Sequence, residues 1–220
     1  MTEPATQTAP LGKGAAKAQA TRTMLVDLAA ELFAEHGYMQ TSIRDVARRG
    51  SLTTGAIYGH FRNKADLLVE AIHNRTAEEL EAQATRFGDR PDYVETLTRT
   101  ARDFPKRRQL RALLVQGAAA AHTDEVTRQR LREEQLAHIS SWIEGYRRVR
   151  GRQGIHPDVD IEAMVLYTWA AELGLGVLEA IGIGPKSPKA WAEVHNRMAR
   201  GMRLGPDEED RPRRRSVPAR

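Results

Sequence analysis

The chain has 220 residues, with 34 Lys and Arg against 29 Asp and Glu, a net charge of +5 with His neutral. Hydrophobic residues make up 40%, enough for a sizeable core and too many for wholesale disorder. There is no Cys, which excludes disulfides, thiolate zinc sites and a cysteine nucleophile together.

The first twenty residues lack the apolar stretch of a secretory signal. The most apolar segment, 161–183, contains Glu162, Glu172 and Glu179, and carboxylates at mid-bilayer are costly. A soluble, cytoplasmic chain with no membrane partner is therefore expected. Charge is distributed unevenly. Between Arg44 and Lys64 five basic residues face one acid, Asp45, and this is the one ordered-looking electropositive stretch.

Residues 1–17 are rich in Ala, Thr, Gly, Pro and Gln without a period and read as a disordered arm. The first helix carries Leu25, Leu28, Ala29, Leu32 and Phe33 at the spacing of one buried face, and Gly37 ends it. Ser42 caps a short second helix, with Asp45 three residues on as in a capping box. Val46 and Ala47 point inward and Gly50-Ser51 breaks the helix. Thr53 caps a third segment, Thr54 to Phe61, with Ile57 and Phe61 on one face. Asn63 caps a fourth helix with the stripe Leu67, Leu68, Ala71 and Ile72, which continues past residue 75 and joins the two halves.

Five further helices are expected near 92–104, 106–121, 124–150, 158–181 and 188–202, punctuated by Pro105, Pro157, Pro185 and Pro188. Residues 206–220 are Pro- and Arg-rich and read as a disordered tail. The prediction is an all-α chain of about nine helices. A helix-turn-helix domain over 18–78, with the motif at 42–61, precedes a helical domain over 79–205.

Two short helices joined by a tight turn, with a third packed across them, place the second short helix to enter a DNA major groove. Thr53 and Thr54 offer short hydroxyls. Gly55 and Ala56 let the backbone approach closely. Arg44 is long enough to reach a guanine edge or a phosphate. Lys64, at a helix N-terminus where the dipole disfavours a cation, makes sense beside a bound phosphate.

The runs Thr41-Ser42-Ile43-Arg44-Asp45-Val46-Ala47, Leu52-Thr53-Thr54-Gly55-Ala56-Ile57-Tyr58-Gly59-His60-Phe61 and Asn63-Lys64-Ala65-Asp66-Leu67-Leu68 resemble the TetR family of bacterial transcriptional regulators. The resemblance covers about a quarter of the chain. It implies a homodimer on a near-palindromic double-stranded DNA operator, with Arg44, Thr53, Thr54, Gly55 and Ala56 facing bases. Ser42, Tyr58, Gly59, His60 and Lys64 would contact or order the phosphate backbone. One departure is local. The family's turn has Ala-Gly where this chain has Gly50-Ser51, so either the turn starts one residue early or Ser51 is mildly strained.

The resemblance further implies a C-terminal domain that dimerises through its last two helices and holds a small apolar effector. Trp142, Tyr146, Met164 and Trp169 are the candidate pocket residues, with His122 or His138 as polar anchor. Val165, Trp169, Leu173, Val177, Trp191, Val194 and Met198 are the candidate interface residues. Gly174 and Gly176 read as sites of close helix approach. Lys13, Lys17 and Arg22 are candidates for contact with the minor groove or phosphates.

Catalysis has little support: there is no paired-His metal motif, no Gly-x-Ser-x-Gly, and no complete dinucleotide loop. The expectation is a non-enzyme without metal or cofactor that represses transcription until an effector releases it. An activator or ligand-independent DNA binder is the alternative, and a binding protein or enzyme with a vestigial helix-turn-helix is a further one.

Overall fold

A computed structural model describes residues 13–87, 92–152 and 154–203. They form nine α-helices and a short 3-10 turn, with an isolated bridge between Ile155 and Arg203 and no strand among the described residues. The all-α expectation holds. The chain divides into two compact units, 1–74 and 75–220. The division falls inside the fourth helix, four residues before the expected boundary. The expected tail at 206–220 and residues 1–12 of the expected arm lie outside the described residues.

In the first unit, α1 spans Lys13–His36. Its start corrects the arm reading of 13–17. The run Lys-Gly-Ala-Ala-Lys-Ala-Gln-Ala lacks apolar periodicity, yet Ala, Lys and Gln are among the strongest helix formers, and these residues extend the helix as an exposed end. Leu25, Val26, Ala29, Ala30, Leu32 and Phe33 are buried. Gly37 ends the helix at φ 87°, donating its amide to the Phe33 carbonyl at 3.0 Å.

The second helix, α2 (Ile43–Arg49), has the predicted capping box: Ser42 Oγ accepts from the Asp45 amide, and Asp45 accepts from the Ser42 amide. The turn after it resolves the Gly50-Ser51 question. Gly50 has φ −85° while Ser51 occupies the left-handed region at φ 54°. An L-residue there is strained where Gly is not. We therefore expect Ser51→Gly to raise stability by about 0.5–1 kcal/mol, after allowing for the greater freedom of Gly when unfolded. A melting curve checks this, and a lower Tm would mean that Ser51 is comfortable where it stands.

The third helix, α3 (Thr54–Tyr58), is capped by Thr53 and shorter than predicted, because Gly59 terminates it. Ile57 and Phe61 still face the core, as the Phe61 amide returns to the Ile57 carbonyl at 2.9 Å. Asn63 caps α4 (Lys64–Phe87), its side-chain oxygen accepting from the Asp66 amide at 2.7 Å. Leu67, Leu68, Val69, Ala71 and Ile72 of α4 are buried and belong to the core.

In the second unit, α5 (Tyr93–Arg102), a 3-10 turn (Phe104–Arg107), α6 (Arg108–Thr123), α7 (Glu125–Val149), α8 (Ile161–Ala180) and α9 (Pro188–Gly201) follow the predicted order. Helix α5 packs on α9, and α6 packs on both α7 and α8. The core gathers Val94, Leu97, Ile143, Tyr146, Val149, Ile161, Met164, Val165 and Ala199. Gly176 is the predicted close approach: a Cβ there would lie 3.1 Å from Arg111 Cβ and Val115 Cγ2 on α6. Gly174 meets nothing within 4 Å inside the chain.

Candidate nucleic-acid interface and ligand cavity

The first unit exposes the predicted reading face. Arg44, Thr53, Thr54 and Gly55 are exposed, Ala56 is half-buried, and all lie at the starts of α2 and α3. The Thr53 hydroxyl accepts the Ala56 amide at 3.2 Å, which fixes the start of α3 and leaves its proton available to an acceptor. At Gly55 an added Cβ would meet only Thr53 Oγ1, at 3.8 Å, an ordinary contact. The protein itself does not need glycine at this position. Tyr58 is 58% exposed at the end of α3, and Gly59 beside it is exposed.

Three expected backbone contacts look different in place. Ser42 gives its hydroxyl proton to Asp45 Oδ2 at 2.6 Å and its amide to the same oxygen at 2.9 Å. Both donors serve the capping box, so Ser42 acts by ordering α2. Those bonds, the hydroxyl first, hold the Asp45 carboxyl below its ordinary pKa. His60 is half-buried beside Phe61, with ring centroids 6.3 Å apart, and its carbonyl accepts from Arg22 at 2.7 Å. Arg22 also pairs with Glu70 at 2.9 Å and lies over the Phe61 ring at 4.5 Å. It thus ties α1 to α4, and Lys13 and Lys17, among the three expected arm cations, are exposed.

Lys64 is the third case. Its ammonium donates to the carbonyls of Tyr38 and Thr41, at 2.9 and 3.2 Å, and sits 4.2 Å from the Tyr38 ring centroid. Burial lowers its pKa. Two of its three protons therefore pin the α1–α2 connector to α4. We expect Lys64→Met to destabilise the unit by about 1–3 kcal/mol through those charged hydrogen bonds. Thermal melts and DNA binding against salt check this; unchanged stability with one unit less salt slope would make the contact to phosphate the dominant role instead.

The family model for bacterial regulatory proteins of the TetR family matches residues 25–71, which hold α1 from its buried face through the start of α4. Residues 25–71 are thus similar to the N-terminal domain of TetR-family regulators. The HTH-type transcriptional regulator AcrR of Shigella flexneri is 40% identical over 77 residues, 33% of this chain and 36% of that protein. The probable acrEF/envCD operon repressor of Escherichia coli is 44% identical over 55 residues, 25% of each chain. The chain thus matches a quarter to about a third of the length of these two curated relatives. A TetR-family regulator structure from Cytophaga hutchinsonii superposes over 90% of this chain and 100% of its own, with TM-score 0.71 and 18% identity, a likeness of fold.

In the second unit, His138, Trp142, Tyr146 and Trp169 line a common cavity of about 60 Å³, with Thr96, Glu79, Arg107, Val165 and Glu172 among its other walls. Trp142 and Tyr146 stack at 5.7 Å and 26°. Two candidates are corrected. His122 is exposed near the end of α6, and Met164 is buried in the core cluster away from the lining. Sequence reading missed the polar wall. Arg107 pairs with Glu79 at 3.3 Å and Glu172 at 2.7 Å, and Arg111 pairs with Glu179 at 2.7 Å and Glu172 at 3.4 Å.

The interface candidates also divide. Val165 is buried and lines the cavity, Trp169 lines it half-buried, and half-buried Trp191 packs edge-on against Phe104 at 6.4 Å. Leu173 and Met198 are half-buried, and Val177 and Val194 are exposed. Sequence reading missed Leu166, Tyr167, Leu178 and Ile181, which are exposed on or just beyond α8. Tyr167, Gly174, Val177 and Ile181 recur at the four-three spacing of a helix-pairing seam. By length and composition α8 would suit a membrane span, but Glu172 and Glu179 on its inner face are committed to buried arginines.

Proposed function

We propose that this chain is a homodimeric, cytoplasmic transcriptional repressor that binds a palindromic operator and is released from it by a small ligand. The observation that carries the proposal is the exposed start of α3, where Thr53, Thr54 and Gly55 combine short donors with a glycine that the fold does not require. A groove-reading helix needs both features. The relatives matched by this domain include a named operon repressor, which favours repression over activation.

Dimerisation is read from the outer face of α8. Its apolar seam, joined to α9 through the Tyr167 hydroxyl at 3.9 Å from Met198 Sδ, fits the same face of a second copy in a four-helix arrangement. Light scattering is expected to give a dimer mass, and Val177→Glu a monomer. Ligand response is read from the cavity: a ligand that favours the conformation with mismatched reading heads lowers operator affinity by its differential binding.

In this account Arg44 reads a base and its loss is position-specific. Arg44→Ala is expected to cost about 1–3 kcal/mol on the operator and to relax discrimination at one position of each half-site. Competition binding against a panel of single-base operator variants checks it. Uniform weakening on every variant would move Arg44 to the phosphate backbone.

A further inference from the structure

We infer that α3 selects thymine by its methyl group, through the side-chain methyls of Thr53 and Thr54. This rests on the reading of α3 as the groove-reading helix and names the base that it selects. From its cap onward the segment runs Thr53-Thr54-Gly55-Ala56-Ile57-Tyr58-Gly59. It holds no Arg, Lys, Asn, Gln, Asp or Glu, the side chains that single out guanine, adenine or cytosine by their hydrogen bonds. A Thr hydroxyl both donates and accepts, so it bonds to any base edge and adds affinity without choice. What remains to discriminate is apolar contact. In the major groove the thymine C5-methyl is the apolar group that marks one base from the others.

The fold itself gives no reason for either methyl. Thr53 caps α3 through its oxygen, which accepts the Ala56 amide at 3.2 Å, and Ser caps a helix at least as well. Turning that oxygen back to the helix also holds the Thr53 side chain in one rotamer, so its methyl has a set position. Thr54 opens the helix, where its branched Cβ lowers helix propensity. Both side chains are exposed, so neither methyl fills the core. Gly55 follows directly, and its missing side chain lets the two threonines come close to the base edges. A methyl seated against a thymine methyl leaves water, which is worth about fourfold in affinity.

The test starts from the best DNA site that the full chain selects from a random pool. Each thymine of that site is replaced in turn by deoxyuridine, which keeps the pairing and every hydrogen-bonding atom and lacks only the methyl. The expected result is a loss of about fourfold in affinity at a thymine position within each half-site. The series is repeated with the double variant Thr53→Ser, Thr54→Ser, which keeps both hydroxyls and the cap and removes both methyls. A melting curve checks its fold, and each single Ser variant is read in the same way if the pair lowers stability. The double variant should bind the thymine site as weakly as the parent binds the deoxyuridine site, and should be indifferent to the replacement. A loss that persists undiminished in the variant comes from the shape of the DNA and overturns the assignment. A selected site without thymine, or one that no deoxyuridine weakens, overturns it as well, and in all three cases α3 still reads a sequence. A pool with no enriched site defeats the reading of α3 itself, and this inference falls with it.

Discussion

Replacing Gly55 with Leu is expected to abolish specific DNA binding while leaving the protein fully folded. The two halves of that expectation have separate causes. Gly55 is exposed, and an added Cβ meets only Thr53 Oγ1 at 3.8 Å, so the fold has room for a side chain. Leu is also a better helix former than Gly by about 0.8–1 kcal/mol, which favours the five-residue α3 if anything. On DNA the same side chain stands where the backbone must approach base edges. Holding the helix away from the groove removes several contacts at once, a loss on the order of a hundredfold or more, at 1.4 kcal/mol per tenfold. Operator binding together with a melting curve reads both halves. Retained affinity would show that the start of α3 does not approach the bases.

The second large effect lies in the other unit. Arg111 is 1% exposed and donates to the Phe104 carbonyl at 2.7 Å and to both oxygens of Glu179 at 2.7 and 2.8 Å. Its guanidinium also lies 5.7 Å from the Phe104 ring centroid. Arg111→Met keeps the length of the side chain and removes its charge, leaving Glu179 without this partner in the interior. Breaking one side of a buried pair costs about 3–5 kcal/mol, which for a domain of this size lowers Tm by about 6–20 °C. Replacing both members, Arg111→Met with Glu179→Leu, should recover most of the loss, because no uncompensated charge then remains. A single variant that melts within a few degrees of the parent would mean that Glu179 turns to water.

The parts of the fold legible in the sequence are those fixed by local chemistry. Ser42, Thr53 and Asn63 cap their helices because a short side-chain acceptor next to a free amide is a local event. The reading face at Thr53, Thr54 and Gly55 was legible for the same reason, since its exposure follows from Ile57 and Phe61 pointing inward. Roles that depend on distant partners were not legible. The expectation for Lys64 named a phosphate and not the carbonyls of Tyr38 and Thr41, more than twenty residues away, to which it donates. Arg22 was expected on an arm and is tied to His60 and Glu70.

The polar wall of the cavity did leave a trace. Arg107 and Arg111 are four residues apart and Glu172 and Glu179 seven, so each pair shares a helix face, and opposite charges at such spacings on two apolar helices suggest a buried ladder. Reading Glu172 and Glu179 only as obstacles to a membrane span hid that pattern. The division of apolar residues between inside and outside has a related cause. Trp169 and Trp191 are large and apolar, and such residues fill interiors first, leaving Tyr167, Val177 and Ile181 on the outside.

In the proposed function α3 reads a DNA sequence. The most direct measurement is selection of DNA from a random pool by the purified full-length chain, followed by affinity for the best site against salt. The account predicts an enriched inverted repeat whose half-sites are spaced by a helical turn, about 34–36 Å, or a multiple of it. That site should be bound at least about a thousandfold more tightly than scrambled DNA at physiological salt. A pool with no enriched sequence, or binding that salt removes equally from every sequence, would contradict it.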